Sequence, residues 1–132
     1  MILVDSSVWI DYFNGKPTWQ TDLLSNYLSS VPIIMGDLIL TEVLSGFRSE
    51  KAFNTAKTLL DELPFCQLGG CFIAVESARN YRKLRKTGIV IRKTIDVIIA
   101  TYCIIEGLTL LHDDHDFDPI ASHLPLEICA PK

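Results

Sequence analysis

The 132-residue sequence predicts an α/β fold with a mostly parallel central sheet of four to five short strands flanked by helices. Short apolar runs bounded by turn residues alternate along the chain with longer segments of helical periodicity, the pattern of strand–helix–strand units. Hydrophobic residues make up 48% of the chain and charged residues 21%, a balance typical of folded domains. We therefore expect one domain over residues 1–132.

Each predicted element has its own local signal. The predicted strands are short apolar runs at 2–4, 31–35, 65–68, 108–111 and 126–129. The predicted helices alternate with them and cover about 6–13, 18–29, 37–46, 50–63, 71–86 and 94–106. Polar residues that favour helix N-termini open the first three helices, at Ser6 and Ser7, Thr18 and Asp37. Pro64 stops the fourth helix, and Gly107 ends the last one.

The helix predicted at 71–86 separates apolar from basic side chains. Its buried face is expected to carry Ala74, Ala78, Tyr81 and Leu84. The opposite face carries the basic residues Arg79, Arg82, Lys83 and Lys86. Seven of the twelve basic residues and none of the sixteen acids lie between positions 79 and 93. Although the net charge is −4, this local basic segment, which ends at Arg92 and Lys93, is expected to contact a nucleic-acid backbone.

Acidic residues interrupt apolar segments at wide intervals, at Asp5, Glu42, Asp96, and Asp114 with Asp116. Burying a carboxylate among hydrocarbon is unfavourable unless its charge is compensated. Hard divalent cations prefer oxygen ligands and would compensate it. Two of these acids follow predicted strands, at the edge of a parallel sheet where ligands bind. The pattern therefore indicates metal-dependent phosphodiester chemistry.

Each acid also has a simpler explanation. Asp5 could merely cap the first helix, although the two serines that follow it would serve equally well. Glu42 could be a solvated helix residue, and Asp96 a first-turn acid favoured by the helix dipole. The acids at 113–118 could form a polar loop. A calcium loop of the EF-hand type is excluded there, because prolines stand at its sixth and twelfth positions.

The composition also bears on the location of the protein and on whether its cysteines could bind zinc. No apolar run could cross a bilayer, and the N-terminal apolar stretch is too short for a signal peptide. We therefore expect a cytoplasmic protein with no membrane partner. The four cysteines form no Cys-x-x-Cys pair and are expected to be buried thiols. A zinc site built from them and the histidines would fit no standard spacing.

Four segments together resemble PIN-domain ribonucleases, especially VapC toxins of VapBC toxin–antitoxin modules. They are the opening Met-Ile-Leu-Val-Asp-Ser-Ser-Val-Trp-Ile-Asp-Tyr-Phe, Leu-Thr-Glu-Val-Leu-Ser-Gly around Glu42, Ile-Asp-Val-Ile-Ile-Ala around Asp96, and Leu-Leu-His-Asp-Asp-His-Asp-Phe around Asp114. The resemblance covers nearly the whole chain in order and spacing. One departure is His112, where relatives frequently carry a hydroxyl residue two places before the fourth acid.

The resemblance implies a PIN-like fold with an acidic pocket that holds Mg²⁺ or Mn²⁺. The pocket acids would be Asp5, Glu42, Asp96 and Asp114, with Asp116 as a fifth candidate and Ser7 as a support for the first acid. Asp5 and Asp96 would be the principal metal ligands, completed by one or both of the acids at 114 and 116. Glu42 would bind the metal through water or orient the nucleophile.

The implied activity is that of a type II toxin, a metal-dependent endoribonuclease. It would hydrolyse structured RNA, such as tRNA, to 5′-phosphate and 3′-hydroxyl ends, with the basic segment positioning the backbone. The implied partners are a VapB-type antitoxin and a second copy of the chain. Candidate apolar surface for an antitoxin helix is provided by Trp9, Phe13, Trp19, Leu24 and Leu28, although core packing explains most of them equally well.

Three other classes compete with this reading. An inactive PIN-like module that binds RNA or acts as a scaffold would share the fold but would not cut RNA. A phosphoacceptor receiver domain expects an acidic pair after the first strand, and a haloacid-dehalogenase-type phosphatase expects Asp-x-Asp there. Ser6 and Ser7 depart from both of these patterns.

Overall fold

A parallel sheet forms the centre of the molecule. The computed structural model describes residues 1–131, so Lys132 of the expected domain lies outside it. The described strands are β1 (Ile2–Val4), β2 (Ile33–Gly36), β3 (Phe65–Cys66) and β4 (Thr109–Leu111). Their order across the sheet is β3-β2-β1-β4, and every pairing is parallel. The predicted α/β class with a mostly parallel sheet is confirmed.

The segment predicted as a fifth strand, 126–129, contacts β4 through an isolated bridge. Leu110 lies opposite Ile128 in parallel orientation. The Leu110 N–H donates to the carbonyl oxygen of Glu127 at 2.9 Å, and the Cys129 N–H donates to the carbonyl oxygen of Leu110 at 2.9 Å. These bonds extend the sheet beyond β4, which agrees with the expectation of four to five strands.

Helices connect the strands and cover the sheet. In the part of the chain that the structure describes they are α1 (Ser6–Phe13), α2 (Trp19–Tyr27), α3 (Asp37–Ser45), α4 (Glu50–Leu60), α5 (Cys71–Lys86), α6 (Thr94–Glu106) and α7 (Phe117–His123). None of them is both long enough and apolar enough to span a lipid bilayer. Helix α7 was not predicted, because its acids and Pro119 are typical of a loop. Proline is tolerated in the first helical turn, and Phe117 and Ile120 are fully buried, which anchors this short helix.

The start of α1 differs from the prediction that a serine caps it. Asp5 is the N-cap residue, and its carboxylate accepts the backbone N–H of Ser7 at 3.1 Å. Ser6 and Ser7 are instead the first residues inside the helix. Because Asp5 caps α1 directly after β1, its carboxylate is fixed at the carboxyl edge of the sheet, where the site forms.

The buried face of α5 agrees with the prediction only in part. Leu84 is buried and Tyr81 packs against the core, as predicted. Ala74 and Ala78 are exposed, whereas Ile73 and Ser77 are buried in their place. The stripe that faces α6 is therefore partly polar, and Asn80 within it donates from Nδ2 to Thr101 Oγ1 at 2.9 Å. The prediction was wrong for Ala74 and Ala78 because it placed small apolar residues inside and polar residues outside. Helix α5 keeps an uncovered face as a result.

Gly36 lies at the end of β2, where the chain enters α3. A Cβ atom added there would lie 2.6 Å from Leu68 Cδ1 and 2.7 Å from Leu68 Cγ. Leu68 is fully buried and packed in the core, so its side chain has little room to move. Only a residue without a side chain fits between β2 and Leu68.

We expect Gly36→Ala to lower the free energy of unfolding by about 1–3 kcal/mol through overpacking. Urea denaturation of the variant and of Gly36→Ala/Leu68→Ala would measure it. In the double variant the clash is absent. Its loss of unfolding free energy should therefore be smaller than the sum of the losses in Gly36→Ala and Leu68→Ala. Full additivity, or an unchanged stability for Gly36→Ala, would contradict this account.

Candidate active site

Asp5 and Ser7 tie the start of α1 to the segment after β4. Ser7 donates to Asp5 Oδ2 from its backbone N at 3.1 Å and from Oγ at 2.7 Å. Ser7 Oγ also accepts the backbone N–H of Asp113 at 3.0 Å, and the Asp5 N–H donates to Leu111 O at 2.9 Å. Burial raises the pKa of Asp5, while the Ser7 bonds act against that rise. Ser7 therefore links the first acid to the loop that carries the fourth.

Asp96 lies in the first turn of α6 and is buried. Its side chain is 5% exposed, and its Oδ2 accepts no hydrogen bond from residues 1–131. The nearest cation is the Lys93 ammonium, with Nζ 3.6 Å from Oδ2. Burial raises the pKa of Asp96 to about 7, although Lys93 acts in the opposite direction. Asp96 Oδ2 is thus a buried carboxylate oxygen that has no hydrogen-bond donor within residues 1–131 and is charged just above neutral pH. Such an oxygen requires a cationic partner.

Asp114 is oriented by its own loop. Its backbone N–H donates to His112 Nδ1 at 3.2 Å, and its Oδ1 accepts the backbone N–H of Asp116 at 2.9 Å. Asp114 Oδ2 accepts from Lys93 Nζ at 2.9 Å. Although partial burial raises the pKa of Asp114, the bonds from Lys93 and from the Asp116 N–H outweigh it and keep the pKa low. Asp114 is therefore negatively charged over the physiological range.

His112 accepts the backbone N–H of Asp114, which a hydroxyl oxygen at that position could also do. Burial lowers the pKa of His112, so the ring is neutral and its Nδ1 is free to accept the Asp114 N–H. The ring also packs against Phe117 of α7, with centroids 5.0 Å apart. The sequence departure at His112 therefore leaves the orientation of Asp114 supported.

Asp96, Asp114 and Asp116 form the acid cluster of the site. One carboxylate oxygen from each lies within 4.8 Å of the others, and it is the only such group of three or more ligating side chains over residues 1–131. The donor set is all oxygen, which suits a hard divalent ion. The unpartnered Asp96 Oδ2 belongs to this cluster, so these residues fit a metal on geometry and on charge. The zinc site considered from the cysteines and histidines is not formed in the described residues.

Two predicted pocket acids lie beside the acid cluster rather than in it. Asp5 is electrostatically coupled to Asp114, but its Oδ2 is already bound to Ser7. Glu42 on α3 accepts a hydrogen bond at Oε1 from Ser6 Oγ at 3.1 Å. Burial raises the pKa of Glu42, with a smaller contribution from the nearby charge of Asp5. Their assignment as metal ligand and catalytic acid stays a prediction.

Arg92 and Lys93, which are expected to contact a nucleic-acid backbone, pair with acids of the site. Arg92 Nη2 donates to Asp116 Oδ1 at 2.8 Å, and Lys93 Nζ contacts all three acids of the cluster. Sequence reasoning placed them near the site but missed that they pair with its acids, because the pairing depends on the fold. The sequence signal for this pairing was the position of Arg92 and Lys93 about one helical turn before Asp96.

The basic face of α5 is exposed along its length. Arg79 pairs with Glu76 at 3.4 Å, whereas Arg82, Lys83 and Lys86 have no carboxylate within 4.0 Å in the described part of the chain. A groove of about 540 Å³ runs between α5 and α6 and reaches the start of α6 near the acid cluster. Its lining is Ala74, Ser77, Ala78, Tyr81, Arg82, Arg85, Thr94 and Ile98. The groove therefore runs from basic side chains of α5 to Thr94 in the first turn of α6.

The apolar surface proposed for a partner helix is only partly available. Trp9 and Leu24 are fully buried in the core, so they were wrong candidates. Phe13 remains accessible and packs edge-on against Phe47 with centroids 5.4 Å apart. Leu28 is half-buried against the core, and Trp19 is exposed. Phe13 and Phe47 border two adjoining cavities of about 80 and 360 Å³ between α1, α3 and α4.

Comparison with known proteins places this arrangement in context. The PIN domain model matches residues 2–122. Ribonuclease VapC11 of Mycobacterium tuberculosis is 32% identical over 123 residues, which cover 92% of both chains. A VapC ribonuclease of Mycobacterium bovis matches to the same extent.

Solved structures share the fold at low identity. VapBC2 from Rickettsia felis, bound to a DNA fragment from its promoter, superposes with a TM-score of 0.76 at 16% identity over 97% of both chains. FitAcB from Neisseria gonorrhoeae gives a TM-score of 0.73 at 16% identity, over 99% of this chain and 98% of that one.

The raised pKa of Asp96 gives a pH-dependent prediction. The carboxyl titrates near 3.8 in the unfolded chain and near 7 in the folded one, so the folded state binds the extra proton between these values. Ionisation of Asp96 therefore lowers the free energy of unfolding as pH rises from about 4 to 7. With EDTA present at pH 8, we expect Asp96→Asn to be more stable than the wild type by about 1–4 kcal/mol.

The expected gain should shrink toward zero as the pH falls to about 4, as measured by thermal unfolding across that range. Asp22→Asn, which removes an exposed acid of α2, is the control and should show no gain that grows with pH. A destabilised Asp96→Asn at pH 8, or a gain independent of pH, would contradict the burial of a charged Asp96.

Proposed function

Because the chain belongs to the PIN-domain family and, within it, to the VapC ribonucleases, we propose that it is an endoribonuclease that acts as the toxin of a type II toxin–antitoxin system. The observation that carries this proposal is the convergence of Asp96, Asp114 and Asp116 at the carboxyl edge of the parallel sheet. We treat residues 1–132 as a single PIN domain that works in the cytoplasm.

The acid cluster is proposed to hold Mg²⁺ or Mn²⁺. When bound, such an ion lowers the pKa of a water and neutralises charge on the leaving oxygen. Asp96, Asp114 and Asp116 would supply ligand oxygens, and Asp5 would add another from the start of α1. Glu42, whose pKa burial raises, would orient the attacking water and accept its proton. The products would carry 5′-phosphate and 3′-hydroxyl ends.

The substrate we propose is structured RNA, such as tRNA. Arg82, Lys83 and Lys86 are exposed cations on one face of α5 and would contact successive phosphates. The groove between α5 and α6 leads from this face to the start of α6, so a bound backbone would be directed to the acid cluster. Arg79 would contribute less, because Glu76 already shares its charge.

The partner we propose for α1, α3 and α4 is a helix of a VapB-type antitoxin. Phe13 and Phe47 form an aromatic pair between two adjoining cavities, and Ile10 nearby is 39% exposed. Apolar anchors of this kind accept the apolar face of an amphipathic helix. This surface replaces the one that included Trp9 and Leu24.

We also propose that the chain forms a homodimer through the first turns of α5. Phe72 and Val75 are 63% and 46% exposed, and neither lines the groove between α5 and α6. Exposed apolar patches of this kind mark protein contacts. The basic residues occupy later turns of the same helix, so dimer contact and RNA contact would use different parts of α5.

The ribonuclease proposal predicts metal-dependent cleavage of RNA. Purified wild type, freed of antitoxin, should produce discrete cuts in a tRNA pool with Mg²⁺ or Mn²⁺ and none with EDTA. Asp96→Asn and Asp114→Asn should each lower the rate by at least about 100-fold, since each removes a metal ligand. Asp22→Asn, an exposed acid of α2, is the matched control. End mapping should find 5′-phosphates.

Cleavage that survives both substitutions would mean a contaminating nuclease or a different site. RNA binding without cleavage, with metal bound, would favour the inactive RNA-binding or scaffold module. Products with 2′,3′-cyclic phosphate ends would contradict metal-dependent hydrolysis.

The homodimer proposal predicts a change of mass on charge insertion. Light scattering after gel filtration should give twice the chain mass for the wild type and the monomer mass for Phe72→Asp/Val75→Asp, because burying two carboxylates in an interface is unfavourable. Val90→Asp, at an exposed apolar position outside α5, should leave the dimer intact. A monomeric wild type, or a double variant that still dimerises, would exclude this interface.

A further inference from the structure

Lys93 makes an unusual set of contacts for a lysine side chain. Its Nζ lies 2.9 Å from Asp114 Oδ2, 3.6 Å from Asp96 Oδ2 and 4.0 Å from Asp116 Oδ2. No other lysine over residues 1–131 lies within 4.0 Å of more than one carboxylate. The Lys93 ammonium therefore faces all three carboxylates of the acid cluster, including the buried oxygen of Asp96 that accepts no hydrogen bond, whereas Arg92 pairs with Asp116 only.

The contacts of Lys93 and those of a divalent ion involve the same oxygens. Mg²⁺ binds carboxylate oxygens at about 2.1 Å, much closer than an ammonium does. Asp114 Oδ1 accepts the Asp116 N–H and Asp116 Oδ1 accepts from Arg92, so the oxygens of these two acids that remain for an ion are the Oδ2 atoms that face Nζ. Two cations that share those oxygens would repel each other strongly. Ammonium and metal are therefore alternatives at the acid cluster.

Lys93 is built so that its side chain can leave. The residue is the N-cap of α6, and 47% of its side chain is exposed to solvent. The carbonyl oxygen of Lys93 accepts the Asp96 N–H at 3.2 Å, so the backbone stays fixed at the helix start. A four-carbon stem with a compact charge at its end can move without disturbing that bond.

We propose that Lys93 is an exchangeable internal counter-ion of the acid cluster, and that it rests on the carboxylates until a divalent cation displaces it toward solvent. This inference rests on the proposed metal-dependent function. It assigns Lys93 two successive partners, the acid cluster first and an RNA phosphate afterwards. Lys93 thereby weakens metal binding while it keeps the acids together. Arg92 differs because its guanidinium contacts Asp116 alone.

Removing the ammonium should tighten metal binding. Calorimetric titration of EDTA-treated, dialysed protein with Mn²⁺ at pH 8 should show Lys93→Met binding about tenfold more tightly than the wild type, because the metal no longer competes with a tethered cation. Lys57→Met is the matched control. It removes the same charge from an exposed lysine of α4, which pairs with Asp61 outside the site, and should change the affinity less than twofold.

Displacement itself can be followed on the wild-type protein, which avoids any folding defect of the variant. Brief acetylation by an activated ester, read by mass spectrometry of peptides, reports how free each lysine amine is. Saturating Mg²⁺ should raise acetylation of Lys93 severalfold relative to EDTA and leave Lys57 unchanged.

The outcomes separate this inference from the function on which it rests. If wild type binds Mn²⁺ and Lys93→Met binds it equally or more weakly, or if metal leaves Lys93 acetylation unchanged, the exchange is wrong and the metal site stands. If neither wild type nor Lys93→Met binds Mn²⁺, both the exchange and the metal-dependent nuclease are wrong. Tighter binding together with metal-dependent exposure of Lys93 supports the exchange.

Discussion

The burial of carboxylates at the carboxyl edge of a parallel sheet is the constraint on which the rest of the molecule depends. Asp96 is nearly inaccessible, and one of its oxygens lacks a hydrogen-bond donor within residues 1–131. Such a group is stable as an anion only beside positive charge. Lys93 supplies that charge from the residue that opens α6, and a divalent ion would supply more of it. The low stability of uncompensated acids would thus be the physical basis of the metal binding that we propose.

The fold brings these acids together through local bonds rather than through the core alone. Asp5 caps α1 and is held by Ser7, which also binds the backbone of Asp113. His112 and the Asp116 N–H orient Asp114 from within the same loop. Because parallel strands end at one edge, the segments that follow β1 and β4 bring Asp5 and Asp114 to the same edge of the sheet.

Much of this could be predicted from the sequence, for identifiable reasons. Helices α5 and α6 have clear periodicity and end at glycines or basic turns, and their predicted bounds agree with the structure. The acids could be found because each interrupts an apolar segment. Helix α7 was missed because its acids and Pro119 are typical of a loop, whereas the burial of Phe117 and Ile120 that anchors it is a property of the folded chain. The buried face of α5 was misassigned because Ser77 and Asn80 lie inside, a choice made by packing against α6. The pairing of Lys93 with three acids is likewise a property of the fold.

The central claim is that Asp96, Asp114 and Asp116 together bind a divalent metal ion, and anomalous X-ray diffraction from crystals soaked in Mn²⁺ tests it most directly. The account predicts one strong manganese peak about 2.1 Å from carboxylate oxygens of these three acids. A manganese peak elsewhere, or none at saturating Mn²⁺ with the acid cluster intact, would contradict it.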